Sequence, residues 1–225
     1  MDTKKKTATD ETISSRIGGD APLMKPFEPK KTRLRVNKAY KMYVGGAFVR
    51  SESGRYFQVE SAPDHDDPDP DTVNVPRGSR KDVRDAVLAA KNAHAGWEKR
   101  TAYNRGQILY RLAEVMESRR PELVESLIRS GQSEQAAAQE VDAAVDRAVY
   151  YAGFADKFFA LLASHNPVAG PHFDFSIPEP MGVVGVVAPD RPSLLGLVST
   201  ALPVITGGNT CVVLASAQDP RTAIV

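Results

Sequence analysis

Pro180-Met181-Gly182-Val183-Val184-Gly185-Val186-Val187-Ala188-Pro189 is followed by an apolar run from Ser193 to Ile205, then by Gly207-Gly208-Asn209 and Cys211-Val212-Val213-Leu214. The first and last of these are short, continuous β-branched runs bounded by Gly and Pro, the pattern of a strand buried on both faces of a parallel sheet. The run between them has helix length, and Pro203 is expected to kink or end it. Strand, helix and strand in this order form a βαβ crossover, because two parallel strands need a long connection. Thr222-Ala223-Ile224-Val225 reads as the opening of a further helix. The fold class is therefore α/β.

On the N-terminal side, His172 to Ile177 alternates as a half-buried strand would. Four helices are expected before it. Ser79 caps the first, with Asp82 reaching back as a short capping box. Val83, Ala86, Val87, Ala90 and Ala93 mark its core face, Trp97 closes it, and His94 is read as a surface residue. The second helix begins near Asn104 and repeats Ile108, Leu109, Leu112 and Met116. Pro121 suits the first turn of a third, which carries Leu123, Leu127 and Ile128 and ends near Gly131. The fourth starts near Glu134 and keeps the helical period through Ala137, Val141, Ala144, Val145, Ala148, Ala152 and Ala155 to Phe159.

Order is expected to begin near Tyr40. Tyr40 to Val44 and Ala47 to Arg50 flank Gly45-Gly46, a hairpin signal because a two-residue turn needs positive φ. Phe57 to Glu60 adds a strand. The acidic, proline-rich run from Ala62 to Asp71 reads as an exposed loop, and its spacing does not match a calcium loop. Residues 1–32 lack hydrophobic periodicity and read as a disordered tail, leaving 33–225 as one ordered domain. The chain has 225 residues, 42% hydrophobic and 25% charged, with a net charge of +1. That balance gives no reason to expect nucleic acid as a partner. No apolar stretch approaches the roughly 18 residues of a membrane span, and the polar N-terminus lacks a signal-peptide core. A single cysteine, Cys211, excludes an internal disulfide and suits a cytoplasmic location. On a buried strand it reads as an inert small hydrophobe. No metal site is expected.

These patterns, in this order, resemble the N-terminal, coenzyme-binding portion of the aldehyde dehydrogenase superfamily. Tyr43-Val44-Gly45-Gly46 is similar to the family's opening hairpin, and Lys81 to Val87 with Ala89, Ala90 and Trp97 resembles its first helix. Arg105 to Leu109 with Leu112 and Ala113 resembles the second. Tyr150 to Lys157 resembles the end of the long helix, and Pro180 to Pro189 and Gly208-Asn209-Thr210 complete the set. The resemblance implies an N-terminal β-hairpin and helices followed by the first part of a parallel Rossmann-like sheet, truncated at Val225. Its implied coenzyme is NAD or NADP, contacted by Val187, Ala188, Pro189 and Ser216.

The departures from the family pattern bear on function. Pro189 is followed by Asp190-Arg191-Pro192-Ser193, so Arg191 stands where the family has the Asn that donates to the oxyanion of the thiohemiacetal. The family's ribose-binding Lys and Glu positions are Leu214 and Ala217, so coenzyme binding is expected to be weak or absent. The resemblance places the second phosphate-contacting turn, the general base Glu and the nucleophilic Cys beyond Val225, leaving no catalytic residue in this chain. The pattern is closest to the degenerate second domain of two-domain family members. The expected function is non-catalytic association with a full-length aldehyde dehydrogenase, or self-association. The alternatives are the coenzyme-binding half of a split dehydrogenase and a non-functional fragment. Arg191, beside the start of the next helix, is a candidate for holding an anion there.

Overall fold

A computed structural model describes residues 36–62 and 71–225. The proposed tail and nearly all of the acidic, proline-rich run lie outside the described residues. Asn37–Val225 forms one compact unit. Its chain order opens with the hairpin β1 (Met42–Val44) and β2 (Ala47–Val49), closed at Gly45 and Gly46 with φ of 60° and 83°. Positive φ at both turn residues is what the two glycines supply without steric cost. A second antiparallel pair follows, β3 (Tyr56–Glu60) with β4 (Thr72–Pro76). β4 was not anticipated, although Thr72-Val73-Asn74-Val75 alternates and buries both valines.

The helices are α1 (Arg80–Glu98), α2 (Ala102–Ser118), α3 (Arg120–Arg129), α4 (Glu134–Phe154) and α5 (Phe158–Leu162). The capping box at Ser79 is present, with Asp82 N–H donating to Ser79 Oγ at 3.2 Å and Ser79 N–H to Asp82 Oδ2 at 2.7 Å. Thr101 and Ser133 cap α2 and α4 through their hydroxyls alone, accepting from Asn104 N–H at 3.2 Å and Ala136 N–H at 3.3 Å. The long helix expected to reach Phe159 stops at Phe154, and a turn separates it from α5. Buried Ala155 still lies against the core, so the apolar period continued while the backbone did not.

Leu109, Ala113 and Met116 of α2, Leu123 and Leu127 of α3, and Ala137, Val141, Ala144 and Ala148 of α4 form the core. They pack with Leu194, Val198 and Leu202 of α6 (Ser193–Thr206). Ile108, Leu112 and Ile128, expected inside, are exposed. α1 departs furthest from expectation. None of its residues is fully buried, and Val83 is 56% exposed. Its inward side is Ala86, Ala89, Ala90, His94 and Trp97. The small alanines let the helix approach backbone, as Thr210 Oγ1 donating to Ala90 O at 3.0 Å and Trp97 Nε1 to Ile205 O at 2.8 Å demonstrate.

β5 (Ser164–Asn166), also unanticipated, pairs antiparallel with β6 (Asp174–Ser176). Phe173, Phe175 and Ile177 are all exposed, so this segment is a projecting ribbon and not the half-buried strand its alternation suggested. β7 (Val183–Val187), α6 and β8 (Thr210–Leu214) make the expected parallel βαβ unit, in register from Val183↔Thr210 to Val187↔Leu214. α6 runs past Pro203 to Thr206. Thr222–Val225 forms a turn closed by Ile224 and Val225 N–H to Arg221 O, in place of the expected helix. Among the described residues no helix is long and apolar enough to cross a membrane.

Candidate functional site

In an open α/β sheet the binding crevice lies outside the carboxyl ends of the strands. Here those ends are Val187 and Leu214, cross-strand neighbours that are 73% and 67% exposed. Ala188 N–H donates to Leu214 O at 3.0 Å and carries the ladder one step further. Two loops frame the crevice, one from Ala188 to Pro192 and one from Ala215 to Pro220.

The polar side chains of these loops bond to one another. Ser216 Oγ donates to Asp190 Oδ1 at 2.7 Å and accepts from the backbone N–H of Gln218 and Asp219 at 3.0 and 3.1 Å. A hydroxyl has one proton and two lone pairs, so Ser216 has no capacity left. Gln218 Nε2 donates to Asp190 Oδ2 at 3.3 Å. Buried Asp219 accepts through Oδ2 from Ser193 Oγ at 2.6 Å and Thr222 Oγ1 at 2.5 Å. Leu214 and Ala217 offer only hydrocarbon.

The start of α6 is also occupied. Glu140 of α4 accepts through Oε1 from the N–H groups of Leu194 and Leu195 at 2.8 and 3.2 Å, and through Oε2 from Gln132 Nε2 at 2.7 Å. Unpaired N–H groups at a helix start favour an anion. The chain supplies that anion itself, which corrects the expectation of an external one held between Arg191 and this turn. The Arg191 side chain is exposed, and a cavity of about 30 Å³ beside it, bounded also by Gln132, Asp190 and Asp219, has room for about one water.

Two further groups differ from or extend the sequence reading. His94 is half-buried and not a surface residue, with Nε2 3.7 Å from Glu98 Oε2. Cys211 is half-buried on β8, and burial pushes its thiol pKa up, so it is a protonated thiol and a poor nucleophile at neutral pH. Arg221, Asp190 and Glu140 had no sequence signal of their own. Arg221 is buried and ties the last turn to β3, donating to Ser61 Oγ at 2.6 Å, Asp71 O at 2.9 Å and Val59 O at 3.3 Å. Its partners lie more than a hundred residues away, a distance no local pattern reports.

A parallel βαβ unit with an open crevice at its strand ends, carried on a helical layer and preceded by small antiparallel pairs, defines a partial α/β domain of the coenzyme-binding type. The model of the aldehyde dehydrogenase family matches residues 49–225, and the chain belongs to that family. It is similar to an omega-crystallin of Enteroctopus dofleini, 31% identical over 196 residues that cover 83% of this chain and 37% of that protein. It is equally similar to a mitochondrial benzaldehyde dehydrogenase of Antirrhinum majus, 31% identical over 212 residues, covering 91% and 37%. Among solved structures, the NAD+ complex of a Bacillus cereus aldehyde dehydrogenase superposes with a TM-score of 0.76 at 26% identity, over 83% of this chain and 38% of that one. An NAD-dependent aldehyde dehydrogenase from Sinorhizobium meliloti gives 0.76 and 26%, over 88% and 39%. The chain thus spans under two-fifths of the length of these relatives.

Proposed function

We propose that this chain is a non-catalytic member of the aldehyde dehydrogenase family that acts in the cytoplasm through association with a complete dehydrogenase subunit. NAD or NADP binds it weakly or not at all. One observation carries this reading. At the strand ends, Leu214 and Ala217 present hydrocarbon, while Asp190 and Ser216 already bond within the chain. A dinucleotide placed there would leave its ribose hydroxyls without fixed partners, and unmade hydrogen bonds cost roughly 1–3 kcal/mol each. Arg191 at the oxyanion position supports the same reading, because a long, exposed cation does not hold a donor where a neutral amide would. The bare pair Val187 and Leu214 supports association, since apolar strand ends left open favour a covering chain.

The second reading is the coenzyme-binding half of a split NAD(P)-dependent enzyme. The superposition on an NAD+ complex favours it. Thermal unfolding in a titration with NAD and NADP separates the two, because a ligand of the folded state raises Tm by mass action. No shift up to millimolar coenzyme is expected for the natural chain, and a shift is expected for Leu214→Lys combined with Ala217→Glu. The natural chain is also expected to elute with an added complete dehydrogenase of the family on size exclusion. A clear shift from the natural chain would overturn the proposal in favour of the split enzyme.

A further inference from the structure

The net charge of +1 conceals a local imbalance. The hairpin of β1 and β2 turns Met42 inward, where a Cβ on Gly78 would lie 3.9 Å from its Sδ. Side chains alternate along a strand, so Tyr43 and its cross-strand partner Phe48 point outward. One step beyond the ladder, Lys41 and Arg50 stand opposite each other on that same outer face. Tyr43 and Phe48 are 64% and 56% exposed, with ring centroids 5.2 Å apart.

The same corner gathers more cations. Arg55 and Arg77 face each other at the end of the β3–β4 pair, where Arg77 N–H donates to Arg55 O at 2.9 Å. Arg80 and Lys81 open α1. Ser51, next to Arg50, joins these parts, with Oγ 3.3 Å from Arg77 O and 2.7 Å from Asp82 Oδ2. Lys41, Arg50, Arg55, Arg77, Arg80 and Lys81 are all exposed, and none has an acidic partner among the described residues. The carboxylates nearby are Glu52, Asp82 and Asp85. Asp82 is engaged by Ser51 and Ser79, Glu52 lies 3.5 Å from Ser79 Oγ, and Asp85 is 3.6 Å from Arg84. Local stability opposes this arrangement. Like charges directly opposite on paired strands repel, and cations at a helix start oppose its dipole. Residues that weaken their own elements are expected where a ligand compensates.

Such a ligand carries several negative charges and flat faces for the two rings. We propose that this corner binds single-stranded nucleic acid, with the cations on its phosphates and Tyr43 and Phe48 stacked on its bases. Basic grooves with aromatic platforms hold single strands in this way, whereas a duplex keeps its base faces stacked inside. An anionic membrane fits less well, because the hairpin tip is Gly45-Gly46 and has no apolar side chain to insert. The proposal does not rest on the reading of the coenzyme crevice.

Fluorescence anisotropy of a labelled deoxythymidine oligonucleotide of about 12 nucleotides, titrated with the full chain, tests this. A Kd of roughly 1–100 µM is expected in low salt. Lys41→Gln with Arg50→Gln is expected to weaken binding about tenfold and to reduce the slope of log Kd against log salt by about 1.4, at ~0.7 for each of two phosphates. Tyr43→Ala with Phe48→Ala is expected to weaken binding about tenfold or more, leaving that slope and the affinity for heparin, a polyanion without bases, unchanged. All four side chains are exposed, so both double variants are expected to keep the circular dichroism spectrum of the natural chain. Arg147→Gln, which removes an exposed cation of α4, is expected to change nothing. No binding by the natural chain at about 100 µM would overturn the proposal. So would equal losses of oligonucleotide and heparin in the ring variant, or tighter binding to phosphatidylserine vesicles than to the oligonucleotide.

Discussion

Asp82 joins two segments through one carboxylate. It accepts from Ser51 Oγ at 2.7 Å, from Ser79 N–H at 2.7 Å and from Glu52 N–H at 3.1 Å. The hydrogen bond from Ser51, followed by those from Ser79 and Glu52, holds its pKa well below the usual carboxylate range. A depressed folded-state pKa contributes stability that is present above the unfolded value, roughly 4, and is lost as pH falls through the folded value. Asp82→Asn is therefore expected to cost about 1 kcal/mol at pH 7, less than the roughly 1.5–3 kcal/mol of bonds to a buried charged group because this one is partly solvated. That is a Tm decrease of about 2–4 °C for a chain of this size. Between pH 5 and pH 2 the natural chain should lose more Tm than the variant, so the two curves converge in acid. Parallel curves in a pH series of thermal melts would show that the charge contributes nothing. Arg105 works from the opposite side. Its buried guanidinium donates to Thr206 O at 3.2 Å and to Arg100 O at 2.7 Å, binding the end of α6 to the α1–α2 corner. Arg105→Met keeps the aliphatic stem but strands these carbonyls, and a loss of ~2–3 kcal/mol in urea unfolding is expected.

At the scale of elements, the α2–α4 crossing depends on a single missing side chain. Gly106→Ala would improve intrinsic helix propensity by about 1 kcal/mol. The added Cβ would nevertheless meet Ala152 O at 2.7 Å, and backbone gives way less readily than a side-chain tip. Overpacking of this kind costs typically 1–3 kcal/mol, so a net loss of about 1 kcal/mol is expected from chemical denaturation. An unchanged or raised midpoint would mean that the helices separate freely. The helices themselves were legible because their caps and periods are local signals. Ser79, read as a cap, sits at the observed start of α1, whereas Thr101 and Ser133, which cap α2 and α4, were not singled out and those two helices were found by period. Period alone could not say which side of α1 faces the sheet, because its alanines fit either face. Trp97 and Thr210 decide that through bonds to residues 108 and 120 positions away. Nor could period say where α4 stops, since Ala155 and Phe159 continue its spacing across a turn.

For the whole molecule, the βαβ unit was readable because two β-branched runs around an apolar helix permit few other arrangements, whereas the internal pairing of the polar side chains around the crevice was not. Asp190, Glu140 and Asp219 take their meaning from partners on other elements, and a sequence records only the order in which they arrive. The same distinction between local and long-range support predicts how the molecule opens. α2, α3, α4 and α6 share one apolar core, whereas β5 and β6 rest on each other with Phe173, Phe175 and Ile177 in solvent. An isolated two-stranded ribbon is marginal in water, so its opening does not require the core to unfold. Amide hydrogen exchange should therefore find β5 and β6 exchanging through local opening, orders of magnitude faster than the amides of Leu109, Val141 and Val198. Added denaturant should accelerate the core amides steeply, because global unfolding exposes much surface, and leave the ribbon amides nearly unchanged. Equal protection of ribbon and core would show that the ribbon is covered in solution. A loss of that protection on dilution would identify a second chain as the cover.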